Sequence, residues 1–504
     1  MDKKTKITST SQKKTLAKMQ SVKLNDCKII VLKLVDQLLD ATSMMSNTPS
    51  IKEQWSIHLV IVNLLSKINQ LEAEFDLKPL SQRNDQSIEK LTKWATKNGA
   101  ILNGVEIHQF QDYGYGMKAN KPITEGDKLV TVPKSLMMTE ENISASPLWK
   151  LHSQDMMLRN MPNVALAIFI LVESLRKDKK SFWHPYLTTL PETYSTPVYF
   201  EVADLEALKG SPAFEAALKL NRNIARQYAY FKKLFQLSDD PASVILKDTF
   251  TYEYYRWAVS TLMSRQNTIP NSDDPPANVS ALIPLWDMFN HHEGTLSTDF
   301  VKADNTCVCY ANSSYLCNDQ VYIFYGVRTN ADFLVHNGFV YPENKHDAVK
   351  IRLGVSRSDP FYTLRLRLLQ TLSLPPLAEF NLNVGPQPLH GKLLAFVRIF
   401  NMDQKTLEDW IGMEEKHCLN LMDSSVTLEP VLEKKCWEFL QVRINLLIKQ
   451  YPPPPDKNAK LSKFQLLARK QIEKELAILK MTLQYIGKHM DIYVPGPLKV
   501  VKAA

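Results

Sequence analysis

The residues with the most chemical potential in this sequence fall in four short runs. Gly114-Tyr115-Gly116 is a short glycine turn; with no helix after it, it is not a dinucleotide fingerprint, and a plain hairpin turn would look the same. Asn290-His291-His292 puts two imidazoles side by side and could be read as a metal pair, but neighbours on one segment usually point apart. Cys307, Cys309 and Cys317 could supply three thiolates to zinc. However, Thr306 to Tyr310 alternates as a strand does, and no fourth ligand stands at a finger-like spacing, so no metal is expected. Tyr322-Ile323-Phe324-Tyr325-Gly326 is a buried aromatic strand by default, and its chemical interest lies in the last tyrosine hydroxyl.

These runs need elements to hold them. From Asp26 to Leu77 apolar residues return every three or four positions (Ile29, Ile30, Leu32, Val35 and Leu38, then Leu59, Val62, Leu64 and Ile68), which is helical spacing. A helix over 85–96 stops at Asn98-Gly99. Five of the 15 glycines then crowd into residues 99–126, and strands are expected over 105–110, 116–119 and 128–132. Helical patterns return over about 145–262, including 164–175, 201–220 and 224–237. The aromatic, proline-bounded run Ser181 to Pro191 is expected as a packed loop among them. Strands at 306–310 and 320–325 follow, then an alternating stretch over 347–353. Helices are expected near 361–372, 391–401, 428–449 and 458–488, with Pro452 to Pro455 interrupting them because proline cannot continue a helix.

The whole chain sets outer bounds on function. Its 504 residues exceed what one compact core holds, so two or three packed units are expected. Hydrophobic residues at 44% and charged residues at 23% describe an ordinary folded protein. The formal charge of +8 comes largely from seven lysines (Lys3, Lys4, Lys6, Lys13, Lys14, Lys18 and Lys23). Residues 1–25 are therefore read as a disordered basic leader, and nucleic acid is not the expected partner. No stretch reads as a signal peptide or a bilayer span. Six scattered cysteines fit a reducing compartment, so a cytoplasmic protein is expected, with the nucleus as a further location.

The order of the runs is more informative than any one of them. A G-x-G turn at 114–116, then Leu285-Trp286-Asp287-Met288-Phe289-Asn290-His291, then the closing Tyr325-Gly326, resembles the SET domain of protein methyltransferases. Ser181-Phe182-Trp183, Pro185-Tyr186 and Leu190-Pro191, with a helical C-terminal third and no cysteine-rich segment after 326, resemble the branch of the Rubisco lysine methyltransferases. Within that branch the chain is most similar to the actin-histidine N-methyltransferases, in Arg265-Gln266-Asn267, in Ile283 to Met288 and in Val349 to Ser356. It departs from them in lacking a long acidic C-terminal tail and in Tyr113, which stands where an acidic residue is expected.

The resemblance implies an α+β fold: a helical region over 26–104, a SET domain over 105–339 with its helical insertion, and an all-α substrate-binding domain over 345–490. It implies S-adenosyl-L-methionine as methyl donor, held by Arg83, Tyr113, Gly114, Tyr115, Arg265, Asp287, Met288, Phe289, Asn290, His291, Asn337, Gly338 and Phe339. Tyr325 would stand at the methyl-transfer channel, with Trp286, Ile269, Ile283 and Ile323 as its walls and Arg328 against the peptide. Asn267 is where two acceptors diverge, because an amide oxygen can fix the tautomer of a histidine ring. A lysine must first lose a proton, which costs about 4 to 5 kcal/mol at neutral pH from a pKa near 10.4. The expected partner is actin, methylated on a histidine by a monomeric enzyme. Lysine methylation of a histone or other protein, and a non-catalytic module that grips actin, are the alternatives.

Overall fold

The computed structural model describes residues 2–44, 49–75, 77–177, 180–273, 277–426, 428–456 and 458–491, and the chain divides into two compact units. The first comprises residues 1–202, 216–326 and 336–338; the second comprises 203–215, 327–335 and 339–504.

The first unit opens with two packed helices, Asp2–Ser43 and Ile51–Glu72. The leader expected to be disordered therefore belongs to a helix. No glycine or proline occurs between Asp2 and Ser43, so nothing in the backbone stops the helical turn from propagating. The buried stripe runs through Val31, Val35 and Leu38, while Ile29 and Ile30 face out.

Three small sheets follow. One orders the strands Ile101–Leu102, Lys128–Pro133, Thr306–Tyr310 and Thr298–Val301, all antiparallel. A second orders Val105–Phe110, Gly114–Ala119, Gln320–Ile323 and Asn290–His291, the last pair parallel. The third has Met138–Thr139, Asn278–Leu282 and Asn267–Pro270. Cys307 and Cys309 are buried in the first sheet as core thiols, and among the described residues no cluster of potential metal ligands forms. No described helix is long and apolar enough to cross a membrane.

The insertion between Thr139 and Asn267 is helical, with Pro162–Leu175 buried on nearly every face and Tyr252–Arg265 packed on it. One break falls elsewhere than the sequence pattern places it: 201–220 is not one helix, and Pro212–Leu237 runs without interruption. Gly210, at φ +87, turns the chain, and Pro212 starts the new helix.

The second unit is helical but not all-α. Ala348–Gly354 pairs antiparallel with Leu377–Asn383, and Val349, Ile351 and Leu353 alternate into its core opposite Leu382, Phe380 and Ala378. Helices Tyr362–Thr371, Gly391–Asn401, Pro430–Ile448 and Lys463–Asp491 complete that core.

Candidate active site

Parallel pairing of Asn290–His291 with Tyr322–Ile323 sets the centre of the site. It brings His291 beside Tyr325: the Tyr325 backbone N–H donates to His291 Nδ1 at 3.2 Å, which assigns the ring hydrogen to Nε2. The Tyr325 hydroxyl donates to the Phe289 carbonyl at 2.7 Å. Its hydrogen is committed to that carbonyl.

Glycines let the strands close around this pair. A Cβ at Gly116 would lie 2.7 Å from Asn290 Nδ2 and 2.8 Å from Gln320 Nε2, so a side chain there would displace both amide groups. Asn290 Nδ2 in turn reaches the Tyr115 carbonyl at 3.4 Å. Gly338, at φ +79, lies where a Cβ would meet the Ser195 backbone at 2.7 Å, and Asn337 Nδ2 donates to the Ser264 carbonyl at 3.2 Å.

Asp287 is reached through a strained turn. Leu285, fully buried, sits at φ 68 and ψ −47, close to a γ-turn conformation that costs on the order of 1–3 kcal/mol for a side-chain-bearing residue. The turn delivers Asp287 into a buried network. Its Oδ2 accepts from the Tyr186 hydroxyl at 2.6 Å and from Arg265 Nη1 at 3.0 Å, and Arg265 Nη1 also reaches the Asp287 carbonyl at 2.9 Å. Burial opposes the Arg265 charge, but Asp287, then Tyr194 and Tyr186, outweigh it and hold the guanidinium above its ordinary value. Burial, then Asp287, pushes the Tyr186 phenol well up, so it stays a donor.

Arg83 is held differently. Its guanidinium lies 4.8 Å from the Tyr115 ring centre, and Nη2 approaches Met288 Sδ at 3.5 Å. Tyr115 is anchored in turn to Asp85 at 2.8 Å, one residue after the Asn84 cap of helix Asp85–Lys97. Among the described residues no carboxylate stands within ion-pair distance of Arg83, and its Nε is buried without a partner. Burial, then the nearby Arg265, lower its pKa to about 10, which still leaves it charged at neutral pH. A desolvated cation without an anion is a costly arrangement for folding and a fitting one for an anionic ligand group. Asp287 Oδ1 is likewise buried and unpartnered. One orphan donor on a cation and one orphan acceptor on an anion suit a ligand with a carboxylate and an ammonium, so S-adenosyl-L-methionine fits these residues.

The remaining expected residues separate. Tyr113 is 54% exposed and meets Tyr322 edge-on. Gly114 opens its strand at φ +69. Asn267 begins the strand Asn267–Pro270, its Oδ1 accepting from the Thr268 N–H at 2.8 Å. Trp286 donates from Nε1 to Thr298 Oγ1 at 2.8 Å. Ile269, Ile283 and Ile323 are 2%, 0% and 1% exposed and form part of the core. Arg328 and Phe339 fall in the second unit, where Phe339 stacks on Phe333 at 4.8 Å.

Three contributors escaped the sequence reading. Tyr186 was noticed only as part of a proline-bounded run, since its bond spans 101 positions. Gly116 was visible as a glycine, but its role depends on the strand facing it. Leu285 carries no signal, because a leucine does not announce a positive φ.

Comparison with known proteins adds to this geometry. A family described as Rubisco LSMT substrate-binding matches residues 356–485. Actin-histidine N-methyltransferase from Rattus norvegicus is 37% identical over 482 residues, covering 93% of this chain and 80% of that protein. The Gallus gallus protein of the same name is 39% identical over 423 residues, covering 84% and 70%. The Homo sapiens protein is 36% identical, covering 93% and 80%. Among solved structures, the SET domain of LSMT bound to lysine and AdoHcy superposes with a TM-score of 0.66 at 20% identity, covering 81% of this chain and 92% of that one. Rubisco LSMT bound to AdoMet gives 0.65 with 81% and 93%. These likenesses identify the fold as that of a SET domain joined to a Rubisco-methyltransferase-type C-terminal domain.

Proposed function

The chain belongs to the actin-histidine N-methyltransferase family, and from that membership we propose that it methylates a histidine ring nitrogen of actin, at the tele position, using S-adenosyl-L-methionine. The observation that carries this reading is family-level identity over 93% of the chain, with Tyr325, Asn290, His291 and Asn267 all present.

S-adenosyl-L-methionine, when bound, supplies a methyl made electrophilic by its sulfonium. Arg83 would bind its carboxylate, and the backbone of Asn290 and His291 would read the adenine edge. Tyr113 to Tyr115, Arg265, Asp287 to Phe289, Asn337 and Gly338 would form the rest of that cradle. Tyr325, its own hydrogen held by Phe289, would offer lone pairs to the polarised methyl C–H groups and keep the acceptor in line. Asn267 would take the N–H of the second ring nitrogen; its Oδ1 holds one backbone N–H and has a further lone pair. With that hydrogen fixed, the other nitrogen is the nucleophile, and no strong base is required because histidine is mostly neutral at pH 7. Trp286 would contact the peptide. A monomer acting in the cytoplasm belongs to the same reading, and the six cysteines, all free thiols, support it.

Incubating the purified chain with actin and methyl-labelled S-adenosyl-L-methionine, then mapping the label by peptide mass spectrometry, tests the proposal. The expected product is one methyl on a histidine. Label on lysine, or none, would refute it. Replacing Asn267 with phenylalanine should reduce histidine turnover at least tenfold, and unchanged turnover would remove Asn267 from the mechanism.

A further inference from the structure

We propose that Tyr186 is a positioning residue of the methyl-donor site, acting through Asp287 to keep one carboxylate oxygen open for a cationic ligand group. The inference rests on the function proposed above and deepens it.

Tyr186 lies in the Ser181 to Pro191 run, outside every strand of the site, and is fully buried. The run is fixed on both sides. Trp183 Nε1 donates to the Leu136 carbonyl at 3.0 Å, and the Gln82 N–H donates to the Thr188 carbonyl at 2.9 Å, one residue before Arg83. The phenol therefore has little freedom to move. Its hydroxyl and Arg265 both engage Oδ2 of Asp287, at 2.6 and 3.0 Å, while Oδ1 is buried with no partner.

A carboxylate with one oxygen doubly bound and the other bare has its rotamer set by the bound side. Arg265 alone could hold the carboxylate over a range of rotations, because a guanidinium offers several donors. The phenol offers only one. With it in place, rotating the carboxylate away from this setting would break a charge-assisted bond inside the protein. Tyr186 thus fixes where the open oxygen points. That oxygen is a full acceptor in a water-poor site beside two guanidinium groups, so it favours a group that brings N–H donors and positive charge, as the ammonium of an α-amino acid does.

Tyr186→Phe keeps the ring and removes the hydroxyl. Titration calorimetry and initial rates should show binding of S-adenosyl-L-methionine weakened about tenfold, with kcat at saturating donor and KM for actin within twofold of the unaltered chain. Tyr194→Phe serves as the matched control. It removes another buried tyrosine's hydroxyl, which meets Thr261 Oγ1 at 2.6 Å instead of Asp287, and it should leave donor affinity within twofold. In an Asp287→Asn background the Tyr186→Phe effect should vanish, since the residue acts through that carboxylate. Unchanged donor affinity in Tyr186→Phe, equal loss in both tyrosine variants, or an undiminished effect in the Asp287→Asn background would each overturn the inference. A chain that binds no S-adenosyl-L-methionine at all would overturn the proposed function, and the role of Tyr186 with it.

Discussion

Arg83 in the first unit is half-buried and Arg398 in the second fully buried, and each leaves a buried Nε without a partner. They differ at the two Nη groups. Arg398, 1% exposed, gives Nη2 to Glu433 at 2.7 Å and to the Val426 carbonyl, and Nη1 to the carbonyls of Asn420, Leu421 and Asp423. Arg83 has a thioether and the face of a tyrosine. The first is a structural joint with both Nη groups satisfied; the second is a charge held ready. Burial alone does not separate a structural arginine from a functional one, but a count of satisfied donors does.

The largest effect expected from this contrast is on stability. Arg398→Met should destabilise the second unit by about 3–5 kcal/mol, because it strands Glu433 as a buried, unpaired carboxylate. Denaturant unfolding would show it, and adding Glu433→Leu should recover much of the loss. A change under 1 kcal/mol would break the comparison.

Smaller effects come from two buried acid–base groups that respond to pH in opposite directions, one in each unit. Glu475 accepts from Ser211, Gln471 and Tyr451 inside the second unit, and burial first raises its pKa to about 7. Its folded pKa lies above the unfolded value near 4.5, so its contribution is complete below pH 4.5 and fades as pH rises through 7. Glu475→Gln should therefore raise stability at pH 8 by up to about 3 kcal/mol relative to the parent, and hardly at pH 4.5.

His58 works the other way. Both its ring nitrogens are buried and unpartnered against Trp55, and burial lowers its pKa to about 4. The unfolded chain binds the proton first, so stability is intact above pH 6.5 and falls as pH drops toward 4. His58→Leu should remove about 2 kcal/mol of the acid sensitivity at pH 5 and leave stability at pH 7.5 no lower than the parent's. Equal pH profiles for parent and variant would show that His58 finds a partner in solution.

Much of this organisation was legible in the sequence, where local rules and tertiary packing agree. Thr306–Tyr310 and Gly391–Asn401 begin and end where alternation and helical spacing put them. The Asn290-His291 and Tyr325-Gly326 runs meet because a parallel strand pair brings them together. What escaped depends on distant partners or on backbone geometry. The side chains that crowd position 116 come from residues 290 and 320. The break before Pro212 was displaced because the pattern of apolar residues on either side of Gly210 is helical throughout. The strand Ala348–Gly354 alternates plainly, but its partner Leu377–Asn383 reads as part of a helical region until the two are paired.

The most direct test of the central claim is calorimetric titration of S-adenosyl-L-methionine into the intact chain and into Arg83→Met, with thermal unfolding measured alongside. An open guanidinium that holds the donor's carboxylate predicts saturable binding by the parent, ten- to a hundredfold weaker binding by the variant, as expected for one charge-assisted contact, and an unfolding midpoint no lower than the parent's. Equal affinity in the two proteins, or weaker binding only because the variant unfolds earlier, would contradict it.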